Sequence, residues 1–153
     1  MFRKPNGDDS FGCPAIIAAA AQRSAILRGH DMVVAVDPNL GRMRIHTDAN
    51  NDGQIQGSEL WKVVDLQDGV SFGVTTAPLL SGTSGPITFS QKQGVLRSVT
   101  FHRNGSASER GFFYITGSGG GAQAESARAV EVVRSTAKIR CWSYQTGTWM
   151  ETC

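Results

Sequence analysis

The segment after residue 47 carries the side chains best suited to chemistry, because oxygen donors recur in it at short, regular intervals. It reads DANNDGQIQGSE and runs from Asp48 to Glu59. A calcium loop needs carboxylate or carbonyl oxygens at alternate positions, a glycine for a sharp turn and a final bidentate carboxylate. The sequence therefore predicts a candidate calcium site whose donors are Asp48, Asn50, Asp52, Gln54 and Glu59.

The segments on either side of this loop decide what kind of site it is. In an EF-hand, one helix enters the loop and another leaves it. Here the loop is entered by RMRIHT, which alternates polar and apolar residues, and is left by LWKVVDL; both are typical of strands. The sequence thus predicts that the chain is not an EF-hand protein. Two interpretations of the loop stay open: calcium held between strands, or an exposed Asn/Asp/Gly turn.

An alanine-rich run predicts a helix near the start of the chain. It reads PAIIAAAAQRSAILRG, with Pro14 suited to a first helical turn and Gly29 to a C-terminal stop. Residues 1–13 are expected to be a disordered or expression-derived lead, and residues 14–153 one globular domain with its helix at 14–29. The stripe expected to face a sheet comprises Ile16, Ala20, Ser24 and Leu27, with Ile17, Ala21 and Ala25 beside it.

Short strand patterns with turn residues between them follow the helix. The sequence predicts strands over 32–36 and 42–47 and three hairpins, pairing residues 60–66 with 70–74, 96–101 with 111–116, and 138–144 with 148–150. One helix followed by many short strands predicts the α+β class, with the N-terminal helix packed on antiparallel β-sheets.

Composition and motifs argue for a small non-enzymatic domain. The 153 residues suit one domain, and a net charge of +2 is too small to indicate a nucleic-acid partner by itself. The chain lacks the spacing of a nucleophile elbow or a phosphate loop, and His30, His46 and His102 stand apart from each other. The run from Pro14 to Ala21 is too short to span a membrane. We therefore expect no enzymatic activity.

The three cysteines leave two interpretations open. Cys141 and Cys153 bracket a short C-terminal segment, which in an exported protein is suited to a small disulfide loop, with Cys13 left unpaired. The alternative is three reduced thiols.

The order of these features resembles the soluble domain of the GspH/FimT family, the minor pseudopilins of type II secretion systems and type IV pili. The helix end AAQRSAILRG runs into the strand MVVAV, and HTDANNDGQIQGSEL follows a strand as a similar acidic segment does in that family. ITFSQKQGVLRSVTFHRNGSAS is similar to its "ITF…F-x-x-x-G" signature, with Phe101 and Gly105 at the marked places. AVEVVRSTAKIRCW resembles its ending, although Thr136-Ala137-Lys138 stands where the family turns through Gly-Arg.

The resemblance implies assembly rather than catalysis. It predicts a pilin-like globular domain that contacts other pseudopilins or pilins in a filament at the periplasmic face of the bacterial inner membrane, at a pseudopilus or a type IV pilus tip. Family members are anchored by an apolar N-terminal helix with a processing site, and this chain contains neither. Contact with the membrane would therefore be expected only through an anchor that is absent from this chain.

Two further functions are kept as alternatives. Lys138, Arg140, Trp142 and Tyr144 alternate with other residues in the last predicted strand region, and cations interleaved with aromatics suit phosphate contact and base stacking in a DNA-binding minor pilin. The same pattern also fits a solvated strand face with aromatic cross-strand packing. The second alternative is an extracellular interaction module stabilised by calcium at the loop from Asp48 to Glu59.

Overall fold

The computed structural model describes residues 9–50, 60–66, 70–73, 79–80, 85–117 and 127–151. These residues form one helix, α1 (Asp9–Arg28), and ten strands. The strands are β1 (Asp31–Asp37), β2 (Arg42–Asp48), β3 (Leu60–Asp65), β4 (Val70–Phe72), β5 (Lys92–Gln93), β6 (Leu96–Phe101), β7 (Gly111–Gly117), β8 (Ala127–Val132), β9 (Ile139–Gln145) and β10 (Thr148–Glu151). The predicted α+β class with antiparallel sheets is confirmed.

The strands are divided between two antiparallel sheets. The first sheet has the order β3-β2-β1-β6-β5, and the second has the order β10-β9-β8-β7-β4. Strand β1 is central in the first sheet because it pairs with β2 on one side and β6 on the other. Strand β8 is central in the second sheet, between β7 and β9.

The helix packs on both sheets through its small side chains. Ala18, Ala21 and Ala25 are at most 1% exposed and belong to the same core cluster as residues of both sheets. Alanine allows the helix backbone to approach a sheet closely, which larger side chains would prevent. Gly29, at φ +72°, ends the helix, and its N–H donates to the Ala25 carbonyl at 3.1 Å. Glycine adopts this left-handed conformation at little cost, as the sequence predicts.

The buried face of the helix differs from the predicted stripe. Ala21 and Ala25, beside the predicted stripe, are buried, whereas the stripe residues Ala20 and Ser24 are half-buried and Leu27 is 83% exposed. Alanines occur on several sides of this helix, and hydrophobicity alone therefore could not select the face. The helix also begins at Asp9, five positions before Pro14, where its first turn was expected.

Two of the three predicted hairpins are wrong. Strand β3 pairs with β2 in the first sheet, whereas β4 pairs with β7 in the second. Likewise, β6 lies in the first sheet and β7 in the second. Phe101 and Phe113 therefore enter the shared core from opposite sheets, an arrangement that a hairpin would not allow. The third hairpin, β9 with β10, is confirmed.

A turn before β9 carries the departure from the family pattern noted in the sequence. Ala137 has φ +52°, in the left-handed region that favours glycine, and its side chain is fully buried in the core. The backbone of this turn has a conformation that favours glycine, although this chain has an alanine there.

Candidate functional sites

The predicted calcium loop connects two strands of one antiparallel pair. Strand β2 ends at Asp48, which is 1% exposed and lies opposite Asp31, and β3 begins at Leu60. The predicted strand entry and strand exit are both found, so the flanking helices of an EF-hand do not occur here. Asn50 is exposed, while Asp52, Gln54 and Glu59 lie outside the described residues. The calcium site stays a prediction.

A metal centre is not formed elsewhere in the described part of the chain. Within those ranges, no group of three or more His, Cys, Asp or Glu side chains is placed to hold a metal ion. The same ranges contain no helix that is long and apolar enough to cross a membrane.

Three of the four predicted nucleic-acid residues lie at the outer face of the second sheet, which we define by Glu131, Arg140, Trp142, Tyr144 and Trp149. Arg140 contacts two carboxylates: its guanidinium lies 3.5 Å from Glu131 and 2.8 Å from Glu151. It also stacks over the Trp142 ring, 4.9 Å from the ring centroid. The positive charge of Arg140 is therefore balanced within the sheet.

Hydrogen bonding on this face also shifts the pKa values of an exposed pair. Arg140 donates to both carboxylate oxygens of Glu151, at 2.8 and 3.1 Å. These hydrogen bonds raise the pKa of Arg140 above its ordinary value and lower the pKa of Glu151 below its ordinary 4.5. Both groups thus stay charged at neutral pH. Because Glu151 neutralises the charge of Arg140 and occupies two of its N–H donors, Arg140 attracts a phosphate less strongly than an unpaired arginine would.

The aromatic side chains of this face pack on each other. Trp149 makes edge-to-face contacts with Tyr144 and Tyr114, with ring centroids 5.3 and 5.6 Å apart. The Tyr114 hydroxyl accepts a hydrogen bond from the Leu80 N–H at 2.9 Å. Such packing across strands is the structural alternative left open by the sequence. Lys138 lies outside the strand and is exposed. Nucleic-acid binding by these residues stays a prediction.

Cys141 lies on the inner side of the second sheet, next to the core cluster, and is disulfide-bonded. The side chains of Cys13 and Cys153 lie outside the described part of the structure. The pairing of Cys141 with Cys153 therefore stays a prediction.

A further cluster was not identified from the sequence, because it joins residues far apart in the chain. His102 Nδ1 lies 3.1 Å from Asp31 Oδ2, and the Arg103 N–H donates to Asp31 Oδ1 at 3.0 Å. This pair lines a cleft of about 730 Å³. We call it the arginine cleft; its lining residues are Asp31, His102, Arg103, Asn104, Ser106, Ala107, Ser108, Arg134 and Ser135.

Among the described residues, the His102–Asp31 pair makes no hydrogen bond to a nucleophilic side chain. A serine nucleophile needs a hydrogen bond from its hydroxyl to the histidine. In the described residues, the Ser106 hydroxyl instead donates to Asn104 Oδ1 at 2.7 Å, and the Ser108 hydroxyl accepts from the Thr100 N–H at 3.1 Å. The pair therefore holds the loop and lacks the contacts of a catalytic triad.

The helix and its two five-stranded sheets have the fold of a minor pseudopilin domain. Two solved structures of one such protein, the minor pseudopilin EpsH from the type II secretion system of Vibrio cholerae, match the chain with TM-scores of 0.53 and 0.54. Their sequence identities are 12% and 14%; each match covers 86% of this chain, and 92% and 89% of the respective EpsH chain. Neither a family model nor a curated protein sequence matches the chain. The predicted resemblance is thus confirmed in the fold.

Proposed function

We propose that the chain is a minor pseudopilin, a structural subunit of a type II secretion pseudopilus. The observation that carries this proposal is the fold shared with EpsH, which extends over most of both chains. The subunit would act by assembly with other pseudopilins at the periplasmic face of the inner membrane, and not by catalysis. More specifically, we propose that the subunit lies at the tip of the pseudopilus, or at the tip of a type IV pilus.

The helix offers a surface that suits assembly. Its alanine face is buried in the domain, whereas Ile26 and Leu27 are 50% and 83% exposed on its other side. Contiguous exposed apolar surface marks protein interaction sites, and Ile26 and Leu27 are adjacent in the chain. We therefore assign to Ile26 and Leu27 a contact with a neighbouring subunit.

The proposal is tested by deleting the gene in the organism that encodes this chain and measuring the secreted proteins in the culture medium. Deletion should reduce secretion, and expression of the wild-type chain should restore it. Leu27→Glu should fail to restore secretion, because a carboxylate at this position would be buried in the subunit contact. Val95→Glu is the matched control, since Val95 is 90% exposed and lies in the β5–β6 turn, not on α1.

Normal secretion in the deletion strain would contradict the proposal. If the deletion strain lost its pili but still secreted proteins normally, the chain would be assigned to a type IV pilus. If Leu27→Glu and Val95→Glu restore secretion equally, the deletion phenotype would still support the function, but the helix contact would be wrong.

A further inference from the structure

We propose that the arginine cleft binds the side-chain carboxylates of an acidic peptide segment on a partner protein. The cleft lies where the first sheet meets the second: one wall is the β6–β7 connection and the other is the turn after β8. This inference does not depend on the proposed function, because it rests on the charges and hydrogen bonds of the cleft.

The described lining residues carry two guanidinium groups and one carboxylate, so the cleft has an excess of positive charge. Arg103 and Arg134 are exposed, and neither has an ion-pair partner among the described residues. By contrast, Arg42, Arg110 and Arg140 each contact a carboxylate at 2.8 to 3.0 Å. Asp31, whose carboxylate is the only one among the described lining residues, already accepts hydrogen bonds from the loop that carries Arg103. Two guanidinium groups thus remain available to an anionic ligand.

The walls of the cleft are fixed before any ligand arrives. The His102 N–H donates to the Ser106 carbonyl at 2.7 Å, and the Gly105 N–H donates to the His102 carbonyl at 3.0 Å, which closes the loop on itself. Gly105 has φ +91°, a conformation that suits glycine in this tight loop. The Ala107 N–H donates to the Arg134 carbonyl at 2.7 Å and so joins the two walls. A preformed site loses less entropy on binding.

The chemistry of the walls favours carboxylates over a nucleic acid. Guanidinium forks bind carboxylates with two parallel hydrogen bonds. A cleft of about 730 Å³ accommodates a few side chains, whereas duplex DNA is a rod that would need a longer basic surface. The lining residues include no Phe, Tyr or Trp on which bases of a single strand would stack.

The test is a calorimetric titration of the full chain with a capped hexaglutamate peptide at low salt. We expect saturable binding that weakens with added salt and that falls by roughly tenfold in the Arg103→Gln/Arg134→Gln variant. The matched control is Arg23→Gln/Lys92→Gln, which makes the same change of net charge at exposed positions outside the cleft. It should retain most of the affinity. A capped hexaglutamine peptide should not bind.

Amide chemical shifts of the wild-type chain give a second readout that does not depend on any variant. On addition of hexaglutamate, the largest shifts should fall between His102 and Ser108 and at Arg134 and Ser135. The proposal is overturned by absence of binding, by shifts elsewhere, or by equal loss in the cleft and control variants. Tighter, arginine-dependent binding of a single-stranded oligonucleotide would also overturn it and would assign the cleft to nucleic acid.

Discussion

The outer face of the second sheet and the arginine cleft use the same kinds of side chain in opposite ways. On the outer face, Arg140 contacts Glu131 and Glu151 and stacks on Trp142. In the cleft, Arg103 and Arg134 are held at the surface without an acidic partner in the described residues. An arginine in the sequence can therefore have either role. An arginine paired with a carboxylate of the same chain stabilises the fold, whereas an arginine without such a partner is available to a ligand.

Loss of the Glu131 carboxylate is expected to have the largest effect, because its side chain is 3% exposed and accepts from Arg110 at 2.8 Å. Glu131→Ala would leave Arg110 and Arg140 without this partner. Both arginines are partly solvated, so we expect a loss of about 2 kcal/mol, below the cost for a fully buried pair. Urea unfolding measures it. Arg134→Gln should stay within about 0.5 kcal/mol of wild type. Equal losses would remove the distinction between the two regions.

Calcium binding by the loop after β2 would add a third region to this comparison, one in which carboxylates and not arginines bind the ligand. If the predicted site exists, calcium at ten times its dissociation constant should stabilise the EDTA-treated chain by about 1.4 kcal/mol. Calorimetry should show saturable heat that is lost in Glu59→Ala and in Asp48→Ala. Absence of heat up to several millimolar would identify the loop as a strand connection and remove the alternative of a calcium-stabilised module.

Asp31 gives a smaller test inside the cleft. Asp31→Ala removes the acceptor of His102 and of the Arg103 N–H, and we expect a cost of about 1 kcal/mol in urea unfolding. Hydrogen exchange of the Arg103 amide should become faster. The control is Asp65→Ala, whose side chain is 66% exposed in its pair with Arg42 and should cost less than about 0.5 kcal/mol. Unchanged exchange at Arg103 would show that Asp31 does not hold the loop.

The smallest effect on stability is expected from substitution of Glu151, and it should appear as a change in the pH dependence of unfolding. Its pKa is lowered in the folded chain by the hydrogen bonds from Arg140, so the folded state binds a proton less readily than the unfolded state. The stabilisation is therefore present above pH 4.5, the ordinary pKa, and is lost as the pH falls through the lowered value. Unfolding midpoints of wild type and Glu151→Gln should differ at pH 7 and converge in acid. A constant difference would exclude this cause.

The local elements of the fold were predictable, because their signals lie in neighbouring residues. Alternation of side chains identified β2, and the pairing of β9 with β10 was predicted correctly. In the structure, these two strands are joined through Thr146 and Gly147, both of which have positive φ. The pairings of β3 and β6 were not predictable in this way. Their turns favour local hairpins, but the chain leaves one sheet for the other at these points.

The two candidate surfaces differ in the same respect. The outer-face residues Arg140, Trp142 and Tyr144 alternate along one strand, so the sequence places them together. Asp31 and His102 meet only because β1 pairs with β6, with Met32 opposite Phe101. The residue pattern of β1 or of β6 alone does not indicate that the two strands pair, and therefore does not predict the contact between Asp31 and His102. The partners of Arg140, Glu131 and Glu151, lie on other strands and were also invisible in the sequence.

The distribution of strands between the sheets has a consequence for how the chain folds. Strand β4 pairs with β7, which comes later in the chain. The segment between β4 and β7 contains β5 and β6, which belong to the first sheet. Neither sheet is therefore built from one continuous piece of the chain, and neither can be excised as an autonomous unit. Long-range pairings of this kind slow folding and bind the parts into a single cooperative transition. A protease cut between β6 and β7 should consequently unravel both sheets together.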